Sequence, residues 1–139
     1  MDDTFVLAVN RDEPVASLHE IGWEDVDEER FIAVWKGSGN RMLIDQALAR
    51  SGRSVSWFYE VRHLSTALGL VEAGIGITAV LVSAIPEKEH PLLAAVPLIK
   101  PRVLRAIGTV LRVGSRLSRT AENFYQTILQ RWSRSSATL

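Results

Sequence analysis

Two hydrophobic periods take turns along the chain. Thr4 to Asn10 (TFVLAVN) is an apolar and β-branched run that stops at the turn-forming Arg11-Asp12-Glu13-Pro14, which predicts a buried strand. Residues 17–30 hold many acids and few apolar anchors, so they read as a surface connection with a short helix near Trp23 to Val26. Phe31 to Val34 returns to the strand pattern. Beyond Gly37-Ser38-Gly39 the period changes: Met42, Leu43, Ala47 and Leu48 recur at helical spacing, and Ser51-Gly52 supplies a glycine stop. Val55 to Val61 predicts a third strand. Leu64, Ala67, Leu68 and Val71 predict a helix closed by Gly74, and Ile77 to Val82 a strand inside the most apolar window, Ile75 to Ile85.

After a polar loop at Pro86 to Pro91, Ala94 to Leu98 reads as an edge strand bounded by prolines. Arg105 to Val113 alternates, with Ile107, Thr109, Leu111 and Val113 on one side. Ser118 is a candidate N-cap for a last helix whose stripe is Ala121, Phe124, Tyr125, Ile128, Leu129 and Trp132. Residues 133–139 read as a disordered tail. Strands and helices alternate, so the expected class is α/β, with helices on the faces of a largely parallel sheet.

With 139 residues, nearly half of them hydrophobic, one core is expected and little room remains for a second. The absence of cysteine removes disulfides, thiolate chemistry and four-ligand zinc sites based on sulfur. MDDTFVLAV has no basic flank or long apolar stretch of a signal peptide, and no window approaches bilayer length, so a cytoplasmic location away from membranes is expected. Formal charge is zero, yet residues 1–30 carry ten acids and two bases while residues 101–139 carry one acid and seven arginines. Those arginines are dispersed and not interleaved with aromatic residues, which argues against a single-strand nucleic-acid platform. Complementary charge across one folded surface accounts for the asymmetry.

Candidate chemistry concentrates at two βα turns. Ser38 lacks the Gly-x-Ser-x-Gly elbow of a serine hydrolase, because Lys36 and Asn40 occupy the outer positions. Phosphate-loop and dinucleotide glycine patterns fail as well. Two readings of Gly37-Ser38-Gly39 stay open: the first-turn amides and the Ser38 hydroxyl receive an anion, or the glycines make a tight turn while Ser38 or Asn40 caps the helix. Arg62-His63 ends one strand and opens the next helix at the same sheet edge. Arg62 suits a carboxylate there, or is simply solvated beside a packing or capping His63. No carboxylates pair at matching turns, and His19, His63 and His90 have no metal-ligand spacing, so neither an enzyme nor a metal site is expected, and no cofactor.

The order of motifs resembles a known family. FYEVRHLSTALGLVEAGIGITAVLVSAIP is similar to the Glu-Val strand, helix, Val-x-Ala-Gly-x-Gly and apolar strand of LysR-type transcriptional regulators. FVLAVNRDEPVA resembles the strand entering their second subdomain, FIAVWKGSGNRMLIDQALARSG the next strand, turn and helix, and RAIGTVLRVGSRLSRTAENFYQTILQRW the closing strand and helix. The resemblance implies a periplasmic-binding-protein type II-like subdomain with a mixed, mostly parallel sheet, spanning residues 1–132 as part of an effector-binding domain. It covers only the later part of that domain and leaves no room for a helix-turn-helix, which implies a truncated product or an excised piece without direct DNA binding. It also implies an effector site at Gly37, Ser38, Gly39, Arg62 and His63, a small anionic or carboxylate effector held weakly by half a cleft, and no chemistry. The closing helix would lose its cover, so Phe124, Tyr125, Ile128, Leu129 and Trp132 are expected at a homo-oligomer interface. The alternative is a fragment of a solute-binding protein of the same fold.

Overall fold

The computed structural model describes residues 2–85, 90–114 and 116–135, the last four of these by their backbone. The chain, expected from its length to form one domain, divides into two compact units: Asp3–Arg105, and Ala106–Leu139 with the first two residues.

In the larger unit the order is β1 (Asp2–Asn10), β2 (Ile21–Gly22), β3 (Ile32–Val34), α1 (Gly39–Arg50), β4 (Tyr59–Val61), α2 (Leu64–Glu72), β5 (Thr78–Leu81), β6 (Leu93–Ile99) and β7 (Leu104–Ala106). Central β1 pairs antiparallel with β5 (Phe5 opposite Leu81) and with β6 (Leu7 opposite Val96), and it also receives β7. β2 joins β6 in parallel, β3 joins β4 in parallel, and a parallel bridge from Phe31 to Ile77 ties that pair to β5. The sheet is therefore mixed, and the expectation of mostly parallel pairing is corrected. The βαβ crossovers β3-α1-β4 and β4-α2-β5 are the parallel part, while β1 runs against the strands on either side of it.

Strand β1 shows why the fold has three layers. Phe5, Leu7 and Val9 point into one core with Trp23, Phe31, and Ile44 and Leu48 of α1. Val6 and Ala8 point into the other with Ile32, Val80, and Ala67, Leu68 and Val71 of α2. A strand buried on both faces reads as a continuous apolar run, which is the pattern of residues 5–9. The buried face of α1 is Arg41, Ile44 and Leu48, with Met42 exposed. Gly52 and Gly74 adopt φ near +70° just after α1 and α2, the left-handed stop for which glycine was expected.

β6 stands between β1 and β2, but β1 pairs along Leu93 to Pro97 while two-residue β2 takes only Leu98 and Ile99, so the outer side of Leu93 to Pro97 is unpaired, as expected of an edge. Pro97 is tolerated there because no strand asks for a donor from it. Two strand expectations change. The Val55 to Val61 strand shortens to Tyr59–Val61, the length that three-residue β3 can pair. The alternating run from Arg105 to Val113 is strand only through Ala106; residues 107–114 are irregular, and Val110 and Val113 are 96% and 99% exposed. Alternation makes a strand only where a neighbour takes up the ladder.

The second unit carries α3 (Arg119–Ser135), which runs three residues past Trp132 into the segment expected to be a tail; residues 136–139 lie outside those described. Ser118 caps it as expected, its Oγ accepting from Ala121 N at 3.3 Å. Along the stripe, Ala121, Tyr125 and Ile128 are half-buried whereas Phe124 and Leu129 are exposed. The Trp132 side chain lies outside the described ones.

Candidate functional site

Two βα turns meet at the carboxyl ends of β3 and β4. Because these strands are parallel neighbours, the turn after Val34 and the turn after Val61 face the same edge, and Trp35 N donates to Val61 O at 2.9 Å across them. The first turn closes when Ser38 N donates to Trp35 O at 2.9 Å, and Ser38 O then accepts from Met42 N to start α1. The Ser38 hydroxyl makes no capping bond.

The glycines of that turn differ. A Cβ on Gly37 would lie 2.2 Å from the Trp35 ring, so the indole lies over this backbone and would have to move to admit a side chain. A Cβ on Gly39 would meet nothing within 4 Å. At the second turn, Arg62 and His63 are exposed, and His63 is the N-cap of α2 without a side-chain capping bond. All five sequence-derived residues thus share one edge. Of these, only Ser38 lines the cavity beneath it.

That cavity, about 80 Å³, lies between the ends of β3 and β5 and the first turn of α1. Its walls are mainly apolar, including Val34, Ile44, Leu64 and Leu81, and three residues not expected at an effector site also reach it: Asn40, read from the sequence only as a possible helix cap, Arg41 and Trp57. Arg41 is 4% exposed. Its Nε donates to both oxygens of Asp45 at 2.9 Å, and its guanidinium stacks 3.9 Å from the Trp57 ring centroid. Nη1 approaches Val34 O at 3.5 Å and Glu60 at 4.0 Å. Trp57 is held edge-on by Phe31, with centroids 4.8 Å apart. An Arg and an Asp four residues apart signal a helical ion pair in the sequence. Nothing there says that the pair turns inward, since the partner surface comes from Trp57, sixteen positions on.

The acid-rich N-terminal part pairs with later cations inside the larger unit. Glu24 pairs with Arg53 and lies 3.9 Å from Lys100, Glu20 lies 3.8 Å from Arg102, and buried Asp3 lies 3.8 Å from Arg105. Among the described residues no His, Asp and Glu gather into a metal-binding group, and no described helix is long and apolar enough to cross a membrane.

A mixed α/β subdomain with an apolar cavity at the ends of parallel strands, floored by a helix start, has the form of a small-molecule-binding domain rather than a DNA-reading unit. Residues 1–133 match the LysR substrate binding domain, and the chain belongs to that family. It is 41% identical over 133 residues to the uncharacterized HTH-type transcriptional regulator YbhD of Escherichia coli K12, covering 96% of this chain and 42% of that protein. It is 30% identical over 134 residues to the DNA-binding transcriptional dual regulator OxyR of the same organism, covering 94% of this chain and 43% of OxyR. The chain thus spans about two fifths of the length of the curated relatives it matches. The solved effector binding domain of BenM with its effector benzoate is similar in fold, with a TM-score of 0.72 at 22% identity, covering all of this chain and 64% of that one.

Proposed function

We propose that this chain is a ligand-sensing part of a LysR-type transcriptional regulator, working in the cytoplasm, without chemistry or direct DNA contact of its own. The observation that carries this reading is the cavity at the joined βα turns, where the Ser38 hydroxyl and the first-turn amides of α1, without partners among the described residues, come together with buried Arg41. Such a lining favours a small anionic effector, to which Gly39, Arg62 and His63, at the same sheet edge, would add contacts, with Gly37 shaping the turn. The family match over nearly the whole chain supports a regulator over a solute-binding protein. A ligand acts in such a protein by binding one arrangement of its parts better than another.

Amide chemical shifts during titration with small carboxylates, benzoate among them, test the site. Weak binding is expected, with shifts centred on residues 38–41 and 62–63 and lost in Ser38→Ala or Arg62→Ala. Unperturbed amides at those positions throughout the titration overturn the reading. Micromolar affinity overturns the expectation of weakness.

The stripe of α3 supports a second element, self-association through Phe124, Tyr125, Ile128, Leu129 and Trp132. Phe124 is 68% exposed, and burying one such side chain contributes roughly 1.5 to 3 kcal/mol. Light scattering at micromolar concentration should find a dimer or larger species that dissociates in the Ile128→Asp, Trp132→Asp double variant. A clean monomer refutes it.

A further inference from the structure

The polar side chains of the cavity come from one place. Ser38, Asn40 and Arg41 stand at the start of α1, and the indole of Trp57 lies against Arg41. The other lining side chains are alkyl and aromatic, from the ends of β3 and β5, from Ile44 further along α1 and from Leu64 at the start of α2.

Those apolar walls are held at a fixed spacing. The Thr78 hydroxyl donates to Ile32 O at 2.7 Å and Ile32 N donates to Ile77 O at 2.8 Å, so β3 and β5 are tied together beside the cavity. Ile32, Ile44, Val80 and Leu81 are each at most 4% exposed and belong to the two cores. In a close-packed interior such side chains cannot withdraw without opening a void elsewhere. Leu64 differs: it is half-buried and packs on its core from outside.

The volume of about 80 Å³ therefore measures the part of a ligand that can enter. A protein cavity of about 150 Å³ holds one benzene, roughly 25 Å³ for each carbon, so about three carbons fill a space of this size. An acid whose carboxylate meets Ser38 and the first-turn amides of α1 has room for a propyl tail and little more. Resting on the effector-site reading above, we infer that the cavity selects short-chain alkyl monocarboxylates, of about four carbons in all, and excludes aromatic-ring acids, with Leu64 as the residue that sets the limit. Each methylene that the tail buries adds about fourfold in affinity, whereas a methylene left in water adds nothing.

Amide chemical-shift titrations of the 139-residue chain with acetate, propanoate, butanoate, pentanoate, hexanoate and benzoate test this. Affinity should rise about fourfold per added carbon as far as butanoate, within one carbon, and then level off or fall. Benzoate, whose ring needs about twice the room, should bind at least about tenfold more weakly than butanoate. Leu64→Ala removes Cγ and both methyl groups from the wall while keeping a good helix former at the start of α2. It should move the break to longer tails and raise benzoate affinity relative to butanoate. A series that is flat or that rises through hexanoate, benzoate binding within about tenfold of butanoate, or a break unmoved in Leu64→Ala overturns the inference while leaving the site reading intact. No shift at residues 38–41 and 62–63 with any acid overturns both. Should Leu64→Ala fail to fold, the series on the unmodified chain decides by where the rise stops.

Discussion

Gly76 offers a test of why the parallel part of the sheet can form. It lies in the turn between α2 and β5, and a Cβ built there would sit 2.4 Å from Arg30 O and 2.8 Å from Ile32 Cδ1. The side chain of Ile32 can rotate. The Arg30 carbonyl is backbone and accepts from Ile77 N at 3.0 Å, while Ile32 N donates to Ile77 O at 2.8 Å. Relieving the clash needs β3 and β5 to separate by the better part of an ångström, which breaks or stretches both bonds. Two hydrogen bonds contribute about 0.5 to 1.5 kcal/mol each, and overpacking a filled core costs about 1 to 3 kcal/mol. Gly76→Ala should therefore lose about 2 to 4 kcal/mol, a fall in Tm of roughly 10 °C or more for a unit of this size. Gly69 is the control. It lies in α2, exposed, and a Cβ there meets nothing within 4 Å. Gly69→Ala should gain about 0.5 to 1 kcal/mol from helix propensity. Urea titrations of the three proteins decide it: a Gly76→Ala midpoint level with the unmodified chain refutes the argument from close approach.

Trp57→Ala removes the aromatic support of Arg41 and the packing on Phe31; urea denaturation should report a loss of about 2 to 3 kcal/mol, less than for a fully buried tryptophan because this one is half-buried. Ser118→Ala removes the cap of α3 and should lower its helix signal in circular dichroism, at about 0.5 to 1 kcal/mol. The Glu24 carboxyl is held below its ordinary value of 4.5, first by the hydrogen bond from Arg53, then by the charge of Arg53, with Lys100 adding a smaller pull. Its contribution is fully present above the ordinary carboxylate range and is lost as pH falls through the depressed value, so acid melting curves of Glu24→Gln should depend less steeply on pH than those of the unmodified chain. Parallel curves count against this role for Glu24.

Local physics is enough to read much of this protein from its residues. The unbroken apolar run from Phe5 to Val9 implies a strand covered on both faces, and the Gly52 and Gly74 stops and the Ser118 cap follow from backbone chemistry that acts within a few residues. The succession of motifs identifies the family, and neighbouring parallel strands bring Ser38 and Arg62 to one edge. Other features depend on what a segment meets. The apolar alternation beyond Ala106 has no ladder to join, and Pro97 is acceptable in β6 because two-residue β2 leaves that side of it unpaired. The second glycine of Val-x-Ala-Gly-x-Gly is visible in the sequence, but its reason, the Arg30 carbonyl 46 positions earlier, is tertiary. The same holds for the cavity. A charged Arg41 in a helix is read as solvent-facing until Trp57 and Asp45 flank it, and the hydrogen bond that Asn40 accepts comes from Arg105, 65 residues away. Periodicity records which side of an element is apolar. Only the packed chain decides which polar groups are taken out of water together, and so which ones must find their partner in a ligand.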